Sequence, residues 1–539
     1  MEIVCSNYEK EEKKIISLIK ESDYISFDLE MTGIENDKNN IIFDTPKNRY
    51  IKYKKTAEKY SIIQFGLTIF IREKSNPNQY NCYPYNFYLF QNANDLKALS
   101  QDNINFEIKS MIFNSNGKID FNKWISEGIY YLNKKQYRQL YKNITENNLN
   151  NDNFYMDTTF MEQKPADKEL AENTIKEIKE NFIDAKINAN SYIIDSMPKF
   201  ILYYIKQKLP NNLYFKENCK AFRNWCTLLT KFNSQEEKED LYKSDILGQL
   251  RDLEHKKGFK KIIDAIFNKV VYGSMDLDEK SDQDIIKKTK LIGHNMSLDL
   301  MFIIANLGDS LPDEYTEFKK MIKNNFENIY DTKLIFEEFK KNEINRNNNL
   351  IIKDIKSVLD NMYPYLKSRF NNSIKFVIQN GDQQFKEEQF HSAGYDSYIT
   401  GICFLYMTQG DKTGQILENM NNKIFLMNSL YKCMDLNKND DDYIEKVNNP
   451  NEDIFIFRGV KKTNNINFEK LFGKKLWENS VIKTIYDEKY NIIIVFTNFK
   501  KENIDQRKTE FKVISKSKTF SNIFTVFTLE EFRDKYMKN

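Results

Sequence analysis

Three short stretches of this chain carry the side chains that chemistry would need. Asp28 and Glu30 lie in YISFDLEMTGI, Asp299 in LIGHNMSLDLMF, and His391 and Asp396 in FHSAGYDSYITGICF. Four carboxylates gathered around one site are what two divalent metals need, and a nearby imidazole is what an attacking water needs. The chain has only three histidines, and one of them falls five residues before Asp396.

Each stretch predicts an element that positions its acid. From Tyr24 to Met31, the apolar Ile25, Phe27, Leu29 and Met31 alternate with Ser26, Asp28 and Glu30. This period of two predicts a strand that sends Asp28 and Glu30 to one face. Two neighbouring carboxylates repel unless a cation lies between them. Taken alone, a D-x-E pair also suits a solvated strand face, but a strand this apolar is expected to be central. Lys290 to Ile292 reads as a short strand and Gly293 to Asn295 as a turn in which His294 hydrogen-bonds. Ser297 to Ala305 reads as a helix with Asp299 in its first turn, where the helix dipole favours an acid with or without a metal. His391 is expected on a loop made permissive by Ser392, Ala393 and Gly394, with Asp396 opening an amphipathic helix, Ser397 to Met407. No one of these motifs is decisive; their joint occurrence points to a site.

The three motifs resemble the DEDDh exonuclease set, and their wording is similar to that of the poly(A)-specific ribonuclease family, the long deadenylases. QFGL at 64–67, DFNKW at 120–124, YDTKL at 330–334 and NKIFLM at 422–427 extend the resemblance over roughly 20–165 and 250–430. The implied fold class is α/β: an RNase H-like DEDD exonuclease core with a helical or α+β insert and a C-terminal RRM-like α+β domain. The resemblance further implies that Asp28, Glu30 and Asp396 hold one Mg²⁺, that Asp28 bridges to a second with support from Asp299, and that His391 is the general base. Ile34 and Met111 would sandwich the terminal base, and Lys333 would neutralise a phosphate. Read as residues alone, Met111 serves equally well as core and Lys333 as a surface cation. The implied activity is 3′–5′ hydrolysis of single-stranded RNA, above all poly(A), releasing 5′-nucleoside monophosphates, by a homodimer. Two alternatives stay open: trimming of non-coding or small RNA by the same chemistry, and an RNA-bound scaffold subunit whose nuclease domain is a relic. The intact acidic set argues against the relic, and a DNA proofreading module fits the wording and the tail less well.

Length and composition agree with several globular domains. The chain has 539 residues, 40% of them hydrophobic, which is enough for large cores and too much for a disordered chain. The net charge is only +3, from 81 basic and 78 acidic residues, so RNA affinity must come from local patches. Six cysteines show no C-x-x-C, and Cys219 and Cys226 lack a histidine or second pair to complete a zinc site. Free thiols in a reducing compartment, the nucleus or the cytoplasm, are expected. No apolar run reaches the ~18 residues of a membrane span, and the charged ending EEFRDKYMKN is no anchor, so no membrane association is expected.

The expected organisation is a split nuclease domain (1–165 and 255–430), an insert (166–254) and an RRM-like tail (450–539). Ala171 to Glu254 reads as charged and mostly helical, with SYIIDSMPKFILYYIKQKLP as an apolar run of helical spacing. The family's insert binds single strands through an Arg-x3-His signature that this chain lacks, leaving a degenerate RNA-binding domain and a packing or dimer-forming insert as equal readings. In the tail, Ile454 to Phe457, Val481 to Ile485 and Tyr490 to Phe496 read as strands, with Phe468 to Phe472 as a short helix. IFIFRG resembles RNP2, with Phe455 as its stacking aromatic, but KYNIIIVF lacks the basic-Gly start of RNP1. No tryptophan stands at the family's cap-stacking position, where Tyr486 is the nearest aromatic and Trp477 lies upstream, so cap binding is not expected.

Overall fold

The computed structural model describes residues 1–35, 44–90, 103–132, 134–150, 159–185, 190–221, 224–267, 289–308, 310–347, 351–380, 391–427, 429, 431, 433–438, 452–459, 481–487, 492–498, 524–528, 531, 532 and 535. The chain first lays down β1 (Glu2–Ile3), β2 (Tyr24–Met31), β3 (Ile62–Arg72) and β4 (Gln79–Tyr88). It leaves for a separate sheet of β5 (Ser191–Asp195), β6 (Leu213–Ala221) and β7 (Asn224–Lys231). It returns with β8 (Thr289–Gly293), β9 (Phe326–Asp331), β10 (Lys375–Ile378), β11 (Lys423–Phe425) and β12 (Cys433–Asp435). It ends in β13 (Glu452–Gly459), β14 (Val481–Asp487), β15 (Ile492–Asn498) and β16 (Phe524–Thr528).

The large sheet is the frame of the site. Its centre runs β4-β3-β2-β8-β9, with β3 antiparallel to both neighbours and β2, β8 and β9 parallel. Counted along the nuclease core, that is the order 3-2-1-4-5 with the second strand reversed, which is the RNase H-like arrangement. The expected α/β core is therefore present. β2 is central, with both edges paired, and Ile25, Phe27, Leu29 and Met31 are all buried.

One helix, Ala393–Gly410, lies across β2 and β3 and carries Asp396. It begins four residues before the expected start, and it is not amphipathic: from Ala393 to Met407 every residue except Tyr398 is buried. The reason is that it is covered on both sides. Phe70, Tyr80 and Ile292 from the sheet meet one side, while Phe336, Met362 and Leu366 from the helices Thr332–Asn347 and Leu359–Phe370 join the same core. The small residues Ala393 and Gly394, read in the sequence as loop formers, instead let the helix touch the sheet. A Cβ on Gly394 would stand 2.6 Å from the Asn86 Cβ, and one on Gly66 would stand 1.8 Å from the Ala393 carbonyl oxygen.

The helix carrying Asp299, Ser297–Phe302, continues as a wider π turn, Ile303–Leu307. The insert belongs to a compact unit, 130–260, that contains the expected range 166–254. Its apolar run is not a single helix. Tyr192, Ile193 and Ile194 enter β5, Pro198 caps the next element, and only Lys199–Lys208 is helical. Aromatic and β-branched residues such as Tyr192, Ile193 and Ile194 favour strand, Pro198 biases Met197 away from helix, and the apolar spacing hides that break. No described helix is long and apolar enough to cross a membrane.

In the tail, the described strands pair antiparallel in the order β14-β15-β13-β16. The expected helix Phe468 to Phe472 and the aromatic Trp477 lie outside the described residues. Phe455, Ile456 and Phe457, successive residues of β13, are all buried, Phe455 at 2% exposure.

Candidate active site

Register on the sheet fixes the first two acids. Asp28 stands opposite Gly66 and Glu30 opposite Gln64 on β3. Because Gly66 has no side chain, the start of the Ala393–Gly410 helix can press against the sheet beside Asp28. That approach brings one oxygen each of Asp28, Glu30 and Asp396 within 4.8 Å of one another. Asp299 joins the group from the helix that follows β8, the neighbour of β2 opposite β3: its charge acts on Asp28 and Glu30, and the Leu29 backbone N–H donates to its carboxylate.

The electrostatics are those of four acids forced together. Burial first, then the charges of Asp396, Asp299 and Glu30, hold the Asp28 carboxyl well above the usual carboxylate range. Glu30 is raised in the same direction by burial, Asp396 and Asp299. Burial pushes Asp299 and Asp396 up to about 7, against partial relief from backbone N–H donors. The Asp396 Oδ1 atom is buried without a hydrogen-bond partner, while Oδ2 accepts the His391 backbone N–H at 3.1 Å. A buried carboxylate oxygen left unpaired is costly unless something cationic meets it. The donor set is all hard oxygen, so it fits a divalent ion such as Mg²⁺.

His391 is exposed and has left-handed backbone, φ 74°; its ring lies edge-on to Phe113 with centroids 5.0 Å apart. The His391 backbone N–H thus ties its loop to Asp396. Ile34 is half-buried in the turn after β2, and Met111 is half-buried in the helix Ile108–Asn116. Lys333 starts the helix after β9, its Nζ 4.8 Å from the Phe425 ring centroid. His294 is a hydrogen-bonding turn residue: Nδ1 meets Thr332 Oγ1 at 2.9 Å, and desolvation with the Lys333 charge pushes its pKa down to about 3.

Several residues that position the acids were not singled out by spacing. Gln64 and Asn86 accept the Ala393 and Gly394 amides, at 3.4 and 3.1 Å, and so cap the Asp396 helix from the sheet. Ser26 and Thr68 hold Ser397, one turn into the same helix. Asp331, fully buried, accepts backbone N–H groups of Asn295, Met296, Lys333 and Phe425, tying the Asp299 turn to the Lys333 helix. The YDTKL phrase contained Asp331 and its near partner Lys333, but the other three partners lie 35, 36 and 94 residues away, and nothing local marks that role.

An RNase H-like sheet with four converging carboxylates defines the class of a DEDD-type nuclease core. The chain belongs to the CAF1 ribonuclease family, whose model matches residues 3–404. It is 26% identical over 431 residues to the poly(A)-specific ribonuclease PARN of Xenopus laevis, covering 76% of this chain and 62% of that one. It is also 26% identical over 463 residues to the Homo sapiens protein of the same name, covering 79% and 66%. The pre-piRNA 3′-exonuclease trimmer of Bombyx mori is 26% identical over 422 residues, covering 75% and 70%. The match to the PARN relatives from Xenopus laevis and Homo sapiens thus spans slightly less than two thirds of their own length.

Proposed function

We propose that the chain is a 3′–5′ exoribonuclease that shortens poly(A) tails, uses two Mg²⁺ ions, releases 5′-AMP and acts as a homodimer. The observation that carries this reading is the convergence of Asp28, Glu30, Asp299 and Asp396 beside the His391 loop in a CAF1-family chain. The PARN relatives support poly(A) as substrate. The pre-piRNA trimmer supports a second reading, 3′-end trimming of small RNA by the same chemistry.

Asp28, Glu30 and Asp396 would hold one ion, and Asp28 with Asp299 the other. When bound, such ions lower the pKa of water and stabilise the charge that grows on the scissile phosphate. The remaining work belongs to side chains of this chain. His391 takes the proton of the attacking water at a ring nitrogen. The water oxygen bonds to phosphorus as the P–O3′ bond breaks, and the departing 3′-oxygen is protonated from solvent. Asp396 keeps the His391 loop in place through the backbone bond. Ile34 and Met111 bracket the terminal base, and Lys333 offsets phosphate charge. The tail is read as an RRM-like domain that adds structure or protein contacts rather than base or cap recognition.

The test is incubation with 3′-oligoadenylated and random-tailed RNA in Mg²⁺, sizing the products. A ladder shortening from the oligoadenylate end with 5′-AMP release is expected. Internal cleavage products, or no shortening of either RNA, would overturn the reading; equal shortening of both tails would favour general trimming over deadenylation.

A further inference from the structure

The turn that carries Ile34 and the helix that carries Met111 meet at one side chain. Glu107 Oε2 accepts the Ile34 N–H at 3.0 Å and the Glu35 N–H at 3.1 Å, and the same oxygen accepts the Ser110 hydroxyl at 3.0 Å. The Glu107 main chain completes the junction: its N–H donates to the Thr32 carbonyl at 2.8 Å, and its carbonyl accepts the Met111 N–H at 3.0 Å. One residue is thus bonded to the amides of both members of the apolar pair. A second tie lies deeper, where Asn114 on the same helix donates to the Met31 carbonyl at 2.9 Å.

The turn needs this anchor. Glu35 has left-handed backbone, φ 37°, a conformation that L side chains adopt at a cost. The 33–35 segment leaves β2 just after Glu30, so any drift in it changes where Ile34 stands relative to the acids. A carboxylate receiving three donors is a strong, charge-assisted restraint. The flanking apolar residues are not held by burial. Phe106, Ile108, Ile112 and Phe113 are all at least 49% exposed, so hydrophobic packing on this side does not set the gap between helix and turn.

We propose that Glu107 is a positioning residue for the 3′-terminal nucleotide: it sets the separation of Ile34 and Met111 and so governs how well the terminal base is gripped. This rests on the reading of those two residues as the base clamp. The Glu107 side chain bonds neither the acids nor His391: its bonds go to the Ile34 and Glu35 amides and to Ser110. Its helix meets the His391 ring at the edge of Phe113, beyond Met111, so loss of the side chain acts on substrate grip before the chemical step.

The experiment measures KM and kcat on oligoadenylate with an intact 3′ nucleotide and on the same oligomer with an abasic 3′ nucleotide. In the unaltered chain the intact substrate is expected to have the lower KM. Glu107→Ala should raise KM for the intact substrate about tenfold, leave kcat within about twofold, and bring the two substrates close to equal. Glu107→Gln keeps an oxygen for the amides and should restore most of the difference. If Glu107→Ala retains the full KM ratio between the two substrates, or if kcat falls with KM unchanged, the proposal is wrong. Ile34→Ala and Met111→Ala separate the two layers. Should neither alter the ratio, the clamp reading itself falls; should both abolish it while Glu107→Ala does not, only the role of Glu107 falls.

Discussion

The nuclease sheet and the tail sheet both contain a strand whose sequence advertises a functional side chain, and they treat it in opposite ways. On β2, the advertised acids emerge at a place where the neighbouring strand has a glycine and a helix start presses close. Asp28 is half-buried, and Asp396 keeps an oxygen with no protein partner. On β13, the advertised aromatic Phe455 is buried, as are Ile456 and Phe457 beside it. Residues pointing to both faces of that strand are covered. The comparison teaches that a motif residue becomes a site only where packing leaves one of its functional atoms unsatisfied. The acids are held in an unfavourable state that a cation would relieve, while the aromatic is already satisfied by its own fold.

The largest expected effect comes from removing that unrelieved charge. Asp28→Asn should cut turnover by more than about 10³-fold while leaving the fold intact, because Asp28 interacts with all three other acids. Near wild-type turnover in this variant, with folding verified by circular dichroism, would break the two-metal assignment. His391→Ala should lose roughly 10²–10⁴-fold, the usual worth of general-base catalysis, with RNA affinity little changed. A pH–rate profile identical in shape to that of the unaltered chain would remove His391 from the proton-transfer role.

A third effect concerns stability without metal. The Asp28, Glu30, Asp299 and Asp396 carboxyls are all raised above their unfolded values, so the folded state binds more protons than the unfolded one at intermediate pH. Their contribution is fully favourable below about pH 4. It is lost as pH rises through the folded values, about 7 for Asp299 and Asp396. The comparison that isolates this cluster is metal-free wild type against metal-free Asp28→Asn. The variant should melt higher at pH 8 and at nearly the same temperature at pH 4.5, and Mg²⁺ should raise the wild-type melting temperature more than the variant's. A variant that melts lower than wild type at pH 8 in the presence of a chelator would contradict the strain that the geometry implies.

Much of the nuclease frame was legible because its signals are local. Alternation along Tyr24 to Met31 gave β2 and the shared face of Asp28 and Glu30, and the GHN turn before Ser297 placed Asp299 in a first helical turn. The start of the Asp396 helix is hidden in the sequence because Gly394 looks like a loop residue. Its small size serves a helix packed on Asn86, which only the three-dimensional approach reveals. The insert run misleads for the complementary reason: its apolar spacing masks Pro198 and the strand β5 before it. Gln64, Asn86, Glu107 and Asp331 could not be found at all from local pattern. Most of their bonds join residues 35 to 329 positions apart, and such links leave no periodic trace. The other two bonds span only two or three residues, yet they too involve ordinary residue types in ordinary turns.

The smallest expected effect on RNA is in the tail, and it decides whether the two sheets differ as argued. Phe455 occupies the position that the RNP2 resemblance gives to a stacking ring, yet it is only 2% exposed. A ring buried this fully cannot offer its face to a base without the sheet opening. In the full chain, Phe455→Ala should therefore act as a core deletion, costing the tail about 3–5 kcal/mol of stability. Affinity for oligoadenylate and for a cap analogue should stay within about twofold, measured at a temperature where the variant tail remains folded. A working stacking platform would instead lose ~1–3 kcal/mol per base, roughly 5- to 150-fold in affinity. Tyr486→Ala is the companion variant, since Tyr486 is the aromatic nearest the family's cap position on β14. If either substitution weakens binding by tenfold or more while the melting profile of the nuclease core is unchanged, the tail sheet exposes a ring in solution. The contrast with the acid cluster would then fail at its weaker side.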